Sequence, residues 1–143
     1  MPALGALPLG AEFEFVIAVQ LQSELYQGSG RVVYDSHLVE PVTAERGGLV
    51  PDAAVFIAPL GSKLAASGLP DGSAIVPFAF TGLPGSAPIA AGTGELLRVR
   101  FRTRQAVPSG RAVYLLNDPA YLQLRDSQGQ RLAFDFETVE AGR

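Results

Sequence analysis

Ala91-Gly92-Thr93-Gly94-Glu95-Leu96-Leu97-Arg98-Val99-Arg100-Phe101-Arg102-Thr103 is the stretch that decides the fold class. A Gly-rich turn runs straight into alternation of Leu97, Val99 and Phe101 with Arg98, Arg100 and Arg102. Successive strand side chains point to opposite faces, so this pattern predicts a β-strand with one buried and one solvated face. Residues 12–21 repeat it, with Phe13, Phe15, Ile17, Val19 and Leu21 on one side and Glu12, Glu14 and Gln20 on the other. Further extended runs are predicted over 26–34, 38–45, 53–58, 73–81, 111–116, 121–125 and 131–139. Within 73–81, Val76, Phe78 and Phe80 point inward, and Pro77, which lacks an N–H, marks a bulge or an edge. The predicted core also holds Val32, Tyr34 and Leu38.

The chain has 16 Gly and 11 Pro distributed along its length, which interrupts helices nearly everywhere and leaves short strands between turns. One short helix is predicted over 62–67, closed by Gly68 as its C-cap, within the connection from Pro59 to Gly72. About eight or nine strands must bury their apolar faces against one another, so the fold class is an all-β sandwich of two sheets. A length of 143 residues favours a single domain over 1–143, large enough to bury roughly two thirds of its unfolded surface. No repeat, low-complexity tract or domain boundary divides it.

The formal net charge of -3 argues against nucleic acid as a partner, because nucleic-acid modules carry a basic footprint. No apolar run approaches the roughly 20 residues that span a bilayer, and the N-terminus lacks the charged start and long apolar core of a signal peptide. No membrane insertion is expected. The chain has no Cys, which excludes disulfides without assigning a compartment.

Catalytic constellations are hard to build from these residues. His37 is the only histidine, so any Ser-His-Asp arrangement would depend on it, and it follows Tyr34-Asp35 where a turn residue is expected. No Cys and one His leave only carboxylates as metal ligands, without an Asp-x-Asp-x-Asp-Gly loop. Asp118 and Asp126 could join a surface calcium site, but each is read as capping a turn. The glycines of 82–94 precede a strand and not a helix, so no phosphate cradle is formed. No catalytic residue, metal site or cofactor is assigned, and the chain is read as a binding module and not an enzyme.

Three ordered segments carry a family resemblance: L-Y-Q-G-S-G-R-V-V-Y-D-S-H-L-V-E-P-V at 25–42, A-I-V-P-F-A-F-T-G at 74–82 and A-G-T-G-E-L-L-R-V-R-F at 91–101. They resemble the Tyr-Asp-Pro-x-x-Leu strand end, the central strand and the Gly-Asp-Gly segment of cohesin domains, and 124–130 looks like that family's late Asp-x-x-Gly hairpin. Ser36 and Thr93 depart from the family pattern at the corner Pro and the turn Asp. The resemblance implies a nine-stranded β-sandwich with jelly-roll topology, a dockerin-containing partner that carries the calcium itself, and an extracellular or cell-surface location within a larger secreted protein. It also implies that the Arg-rich strand lies beside Glu12 and Glu14 in one sheet. Arginines about 6.6 Å apart along one face could grip an acidic polymer, but the acidic neighbours favour a balanced, solvated face worth roughly 0.2–1 kcal/mol per pair.

The resemblance places dockerin on the other sheet. Gln27, Ser29 and Arg31, with Val33 beyond them, face outward on one strand there, and Pro77, Ala79 and Thr81 on its neighbour. Gly28 and Gly30 point inward, where a missing side chain makes room for a large one. Ala79 and Thr81 form a flat platform suited to a partner helix. Two other readings remain: a structural spacer of a secreted or surface protein, and a carbohydrate-binding module. The latter needs exposed rings, and without Trp only Tyr26, Tyr114 and Tyr121 would supply them.

Overall fold

The computed structural model describes residues 8–51, 54–60, 68–83, 85, 87–105 and 112–142. They form nine strands: β1 (Glu12–Leu21), β2 (Gln27–Asp35), β3 (Val39–Arg46), β4 (Val55–Ile57), β5 (Ser73–Thr81), β6 (Gly92–Thr103), β7 (Val113–Leu115), β8 (Gln123–Arg125) and β9 (Phe134–Gly142). There is no helix among the described residues, and none long and apolar enough to cross a membrane. The helix expected over 62–67 lies outside the described residues; Gly68 after it has a φ of 80°, in the left-handed region a C-cap uses.

One sheet has the order β3-β6-β1-β9, and the other β4-β5-β2-β7 with β8 also on β2. The chain crosses between sheets after β1, β2, β3, β5, β6 and β8, as a jelly roll requires. The physical cause lies in the strands themselves. Each offers one apolar face, and the only way to remove both sheets' apolar faces from water is to stack them. Phe13, Phe15, Ile17, Leu97, Val99 and Phe101 from the first sheet meet Val32, Val76, Phe78 and Phe80 from the second in a single buried cluster. Phe101 is fully buried in it, stacked on Phe13 at 5.6 Å and tilted against Tyr34 at 5.5 Å.

Four details depart from simple alternation. Leu96 is buried beside Leu97, because the β1–β6 register shifts between Ile17 and Ala18 and leaves Leu96 as an extra residue. Leu38, expected in the core, lies in the turn before β3 and is only half-buried against it. Pro77 stays in register opposite Arg31, without a bulge, while β4 pairs β5 only as far as Ala79. Its missing N–H therefore falls where β5 has run past β4, the edge alternative of the sequence reading. Val33 does face outward with Ile75 opposite, yet they are 1% and 2% exposed. That end of the outer face is covered, and the open part begins at Arg31.

The arginine ladder is largely balanced, in a register only the fold reveals. Directly opposite residues are Glu12 and Arg102, and Glu14 and Arg100. Arg102 does bond Glu12 at 3.1 Å, with Glu40 of β3 at 3.9 Å on its other side. Glu14, however, takes the diagonal Arg98 at 3.1 Å, and Glu95 holds Arg98 again at 2.8 Å. The hydrogen bond that Arg98 donates to Glu95, and then the Glu95 charge, raise the Arg98 pKa. Arg100 stands between these groups with its Nε buried and without a hydrogen-bond partner. Arg104 leaves the ladder, donating to the Ser36 carbonyl at 3.0 Å.

Candidate partner-binding face

The outer face of the β4-β5-β2-β8 sheet brings the six expected residues together as three cross-strand pairs. Gln27 opposes Thr81, Ser29 opposes Ala79, and Arg31 opposes Pro77. Alternation explains the placement. Gly28 and Gly30 between them point inward, and a Cβ there would lie 2.8 Å from Phe80 and 2.6 Å from Phe78 respectively. The two rings fill the space the glycines leave, but they come from the neighbouring strand of the same sheet, not from the sheet opposite.

Both flanks of this face were missing from the sequence reading. On one side β4 extends the rows, with Val55 beside Thr81 and Ile57 beside Ala79. These two are 47% and 58% exposed. All three β4 residues are apolar, so their phase was not readable; the structure turns Phe56 inward and leaves Val55 and Ile57 in water. On the other side β8 sets Arg125 beside Gln27 and Gln123 beside Ser29. Arg125 bonds the Gln123 side-chain oxygen at 2.9 Å and the Gly129 carbonyl at 2.7 Å. Tyr121 lies under the Arg31 guanidinium, 3.9 Å from its ring centre, and its carbonyl accepts from Ser29 Oγ at 3.3 Å. The rows enclose an open, shallow concavity of about 340 Å³ floored by Ala79 and Ser29 and walled by Val55, Ile57, Gln123 and Arg125.

The other candidates resolve as local structure. His37 is exposed in the turn after β2; its backbone N–H donates to Asp35 Oδ1 and its carbonyl accepts from Gln105. Ser36 Oγ is engaged by the Gly72 carbonyl at 2.6 Å. Asp118 accepts from the Ala120 N–H, and Asp126 from those of Gln128 and Gln130, the geometry of turn caps. Among the described residues no three His, Asp or Glu side chains converge on a common metal position. The Tyr26 hydroxyl donates to the Leu83 carbonyl, and the Tyr121 ring, though exposed, carries the Arg31 guanidinium on one face.

No protein-family model and no curated protein sequence matches the chain. Solved structures do. A type II cohesin from Bacteroides cellulosolvens superposes with a TM-score of 0.65 at 13% identity, over 89% of this chain and 85% of that one. The chain has the cohesin fold. The sixth cohesin of scaffoldin B from Acetivibrio cellulolyticus, solved in complex with a dockerin, gives a TM-score of 0.57 at 12% identity over 92% of this chain and 90% of its own. A cohesin module of a family 33 glycoside hydrolase from Clostridium perfringens gives 0.60 at 11% identity, covering 99% and 97%. At such identities the cohesin-like architecture is common property, while the side chains on its outer faces are this chain's own.

Proposed function

We propose that this cohesin-like domain is a non-catalytic protein-binding module that takes a dockerin-type partner on the outer face of β4, β5, β2 and β8. The observation that carries the reading is the arrangement of Gln27, Ser29, Arg31, Pro77, Ala79 and Thr81 in three adjacent rows. Small side chains at its centre let a helix backbone approach, and an exposed apolar wall at β4 offers area to bury. The fold it shares with cohesins solved in dockerin complexes supports the same conclusion. No substrate is consumed and no cofactor is held by this domain; calcium belongs to the partner. The setting that fits is a secreted or cell-surface protein of which this is one domain.

The test is calorimetric titration, in calcium, with dockerin modules encoded in the same genome. Ala79→Arg sets a long charged side chain at the centre of the face, where a partner must desolvate it. The expected loss is at least 2 kcal/mol, on the order of thirtyfold in affinity, with the free domain's fold unchanged. If no such dockerin binds, the spacer reading replaces this one. Binding by the variant equal to that of the parent would move the site to another face.

A further inference from the structure

The two sheets treat their outward arginines differently. On β6, Arg98 and Arg102 are each within 3.1 Å of a β1 carboxylate. On the other sheet, Arg31 and Arg125 face outward, and Arg131 joins them, because it bridges Arg125 and so shares its face. None of these three forms an ion pair among the described residues. Their contacts are neutral: the Tyr121 ring for Arg31, Gln123 and a backbone carbonyl for Arg125. The nearest acid in sequence, Asp126, has its Oδ1 taken by turn amides. The outward positions in these rows include no Asp or Glu at all.

The first row therefore reads Val55, Thr81, Gln27, Arg125, Arg131, from an apolar edge to a cationic one. The second reads Ile57, Ala79, Ser29, Gln123. Strands lie about 4.8 Å apart, and a helix with its side chains is about 10–12 Å across. A helix set over β5 and β2 thus reaches β4 with one flank and β8 with the other. In a chain of net charge -3, an unpaired cationic edge is not general basicity; it is a local charge left for something outside the molecule to complement.

Resting on the partner-binding reading above, we infer that the partner lays on this face a helix that is apolar over Val55 and Ile57 and acidic over Arg31, Arg125 and Arg131. Charge sign then selects among partners of the same shape. A helix with Lys or Arg on that flank is rejected, because it meets three uncompensated guanidiniums.

Two probes separate this inference from the identity of the partner. The first is a pair of synthetic amphipathic helical peptides with the same Leu ridge, one carrying Glu and one Lys along the flank, titrated into the isotopically labelled domain. The Glu peptide is expected to shift the amide resonances of Ile57, Ala79, Gln123 and Arg125, with shifts that shrink as salt rises, and the Lys peptide to leave them in place. The double variant Arg31→Glu, Arg125→Glu, both positions being half-buried and the fold therefore checked from the amide spectrum of the free variant, should reverse the preference. Equal responses to the two peptides, or shifts centred on Arg98–Arg102, overturn the inference.

The second probe is whichever dockerin the calorimetric panel identifies. Arg125→Glu should weaken it about tenfold, and raising sodium chloride from about 50 to about 500 mM should weaken it severalfold. A dockerin indifferent to both leaves the binding function standing and removes the charge assignment. A domain that takes no dockerin yet keeps the peptide preference retains the acidic-helix assignment and loses the dockerin one.

Discussion

At the scale of single residues, the interior of the β4-β5-β2-β8 sheet is set by two absent side chains. Gly30 is buried with an ordinary φ, so backbone conformation does not require glycine there; the Phe78 ring does. Gly30→Ala would place a Cβ 2.6 Å from Phe78 Cζ, with Leu122 at 3.2 Å behind it. The ring cannot move without disturbing the core, and a destabilisation of about 1–3 kcal/mol is expected in denaturant unfolding. A change below about 0.5 kcal/mol would show that the ring repacks freely. Tyr34 gives a second residue-level signature. Burial raises its phenol pKa, and Arg104 only partly offsets this. The fold then holds the proton more tightly than the unfolded chain does. The stability linked to Tyr34 is fully present below about pH 10, the unfolded value, and declines as pH rises through the higher folded one. Absorbance titration should show one tyrosine ionising later than the rest, and Tyr34→Phe should remove that late phase; four tyrosines titrating together would contradict it.

At the scale of elements, β1 and β6 illustrate why opposed charges on neighbouring strands contribute little yet recur. The Arg98 and Arg102 side chains are 46% exposed, so each pair is worth at most roughly 1 kcal/mol after screening. Their other effect is to keep an exposed sheet face from associating. Among the described residues Arg100 lies between them without an ion pair and with a buried Nε unsatisfied, so its charge contributes even less. Arg100→Gln is expected to change unfolding free energy by no more than about 1 kcal/mol and to leave partner binding as it was. Loss of binding in a folded Arg100→Gln domain would transfer recognition to this sheet. The edges of the two sheets follow the same logic. β3 carries Pro41 and a register shift beside it, whereas β4 is only three residues long; both discourage strand addition by another chain.

At the scale of the molecule, the sandwich closes through contacts distant in sequence. β1 sits between β6 and β9, so the first strand finds its partners only after most of the chain is in place. Folding governed by such pairings is expected on the millisecond-to-second scale. Removing residues 134–142 would leave the polar backbone of β1 unpaired along that side and strip the core of Phe134 and Phe136, which lie opposite Leu21 and Val19. The truncated chain should lose its cooperative thermal transition in far-ultraviolet circular dichroism. A truncated form that still melts sharply as a β-protein would show that β9 is dispensable.

The period-two pattern by itself determined which residues each long strand buries, because facing is a local property of an extended chain. It placed Phe13 through Leu21, Val76 through Phe80 and Leu97 through Phe101 in the core and turned Gln27, Ser29, Arg31, Pro77, Ala79 and Thr81 away from it; that the two outward sets share one sheet face was implied by the cohesin resemblance, and the pairing of β2 with β5 joins them. Where the pattern is degenerate, facing had to come from packing: β4 is apolar at every position, and only the descent of Phe56 into the core sent Val55 and Ile57 outward. Pairing is non-local, so register also lay beyond the sequence. The bulge at Ile17/Ala18 buries Leu96, and Glu14 bonds Arg98 in place of the opposite Arg100. The flank of the candidate site belongs to the same class. Tyr121, Gln123, Arg125 and Arg131 lie about a hundred positions from β2, and only strand pairing brings their side chains onto its outer face.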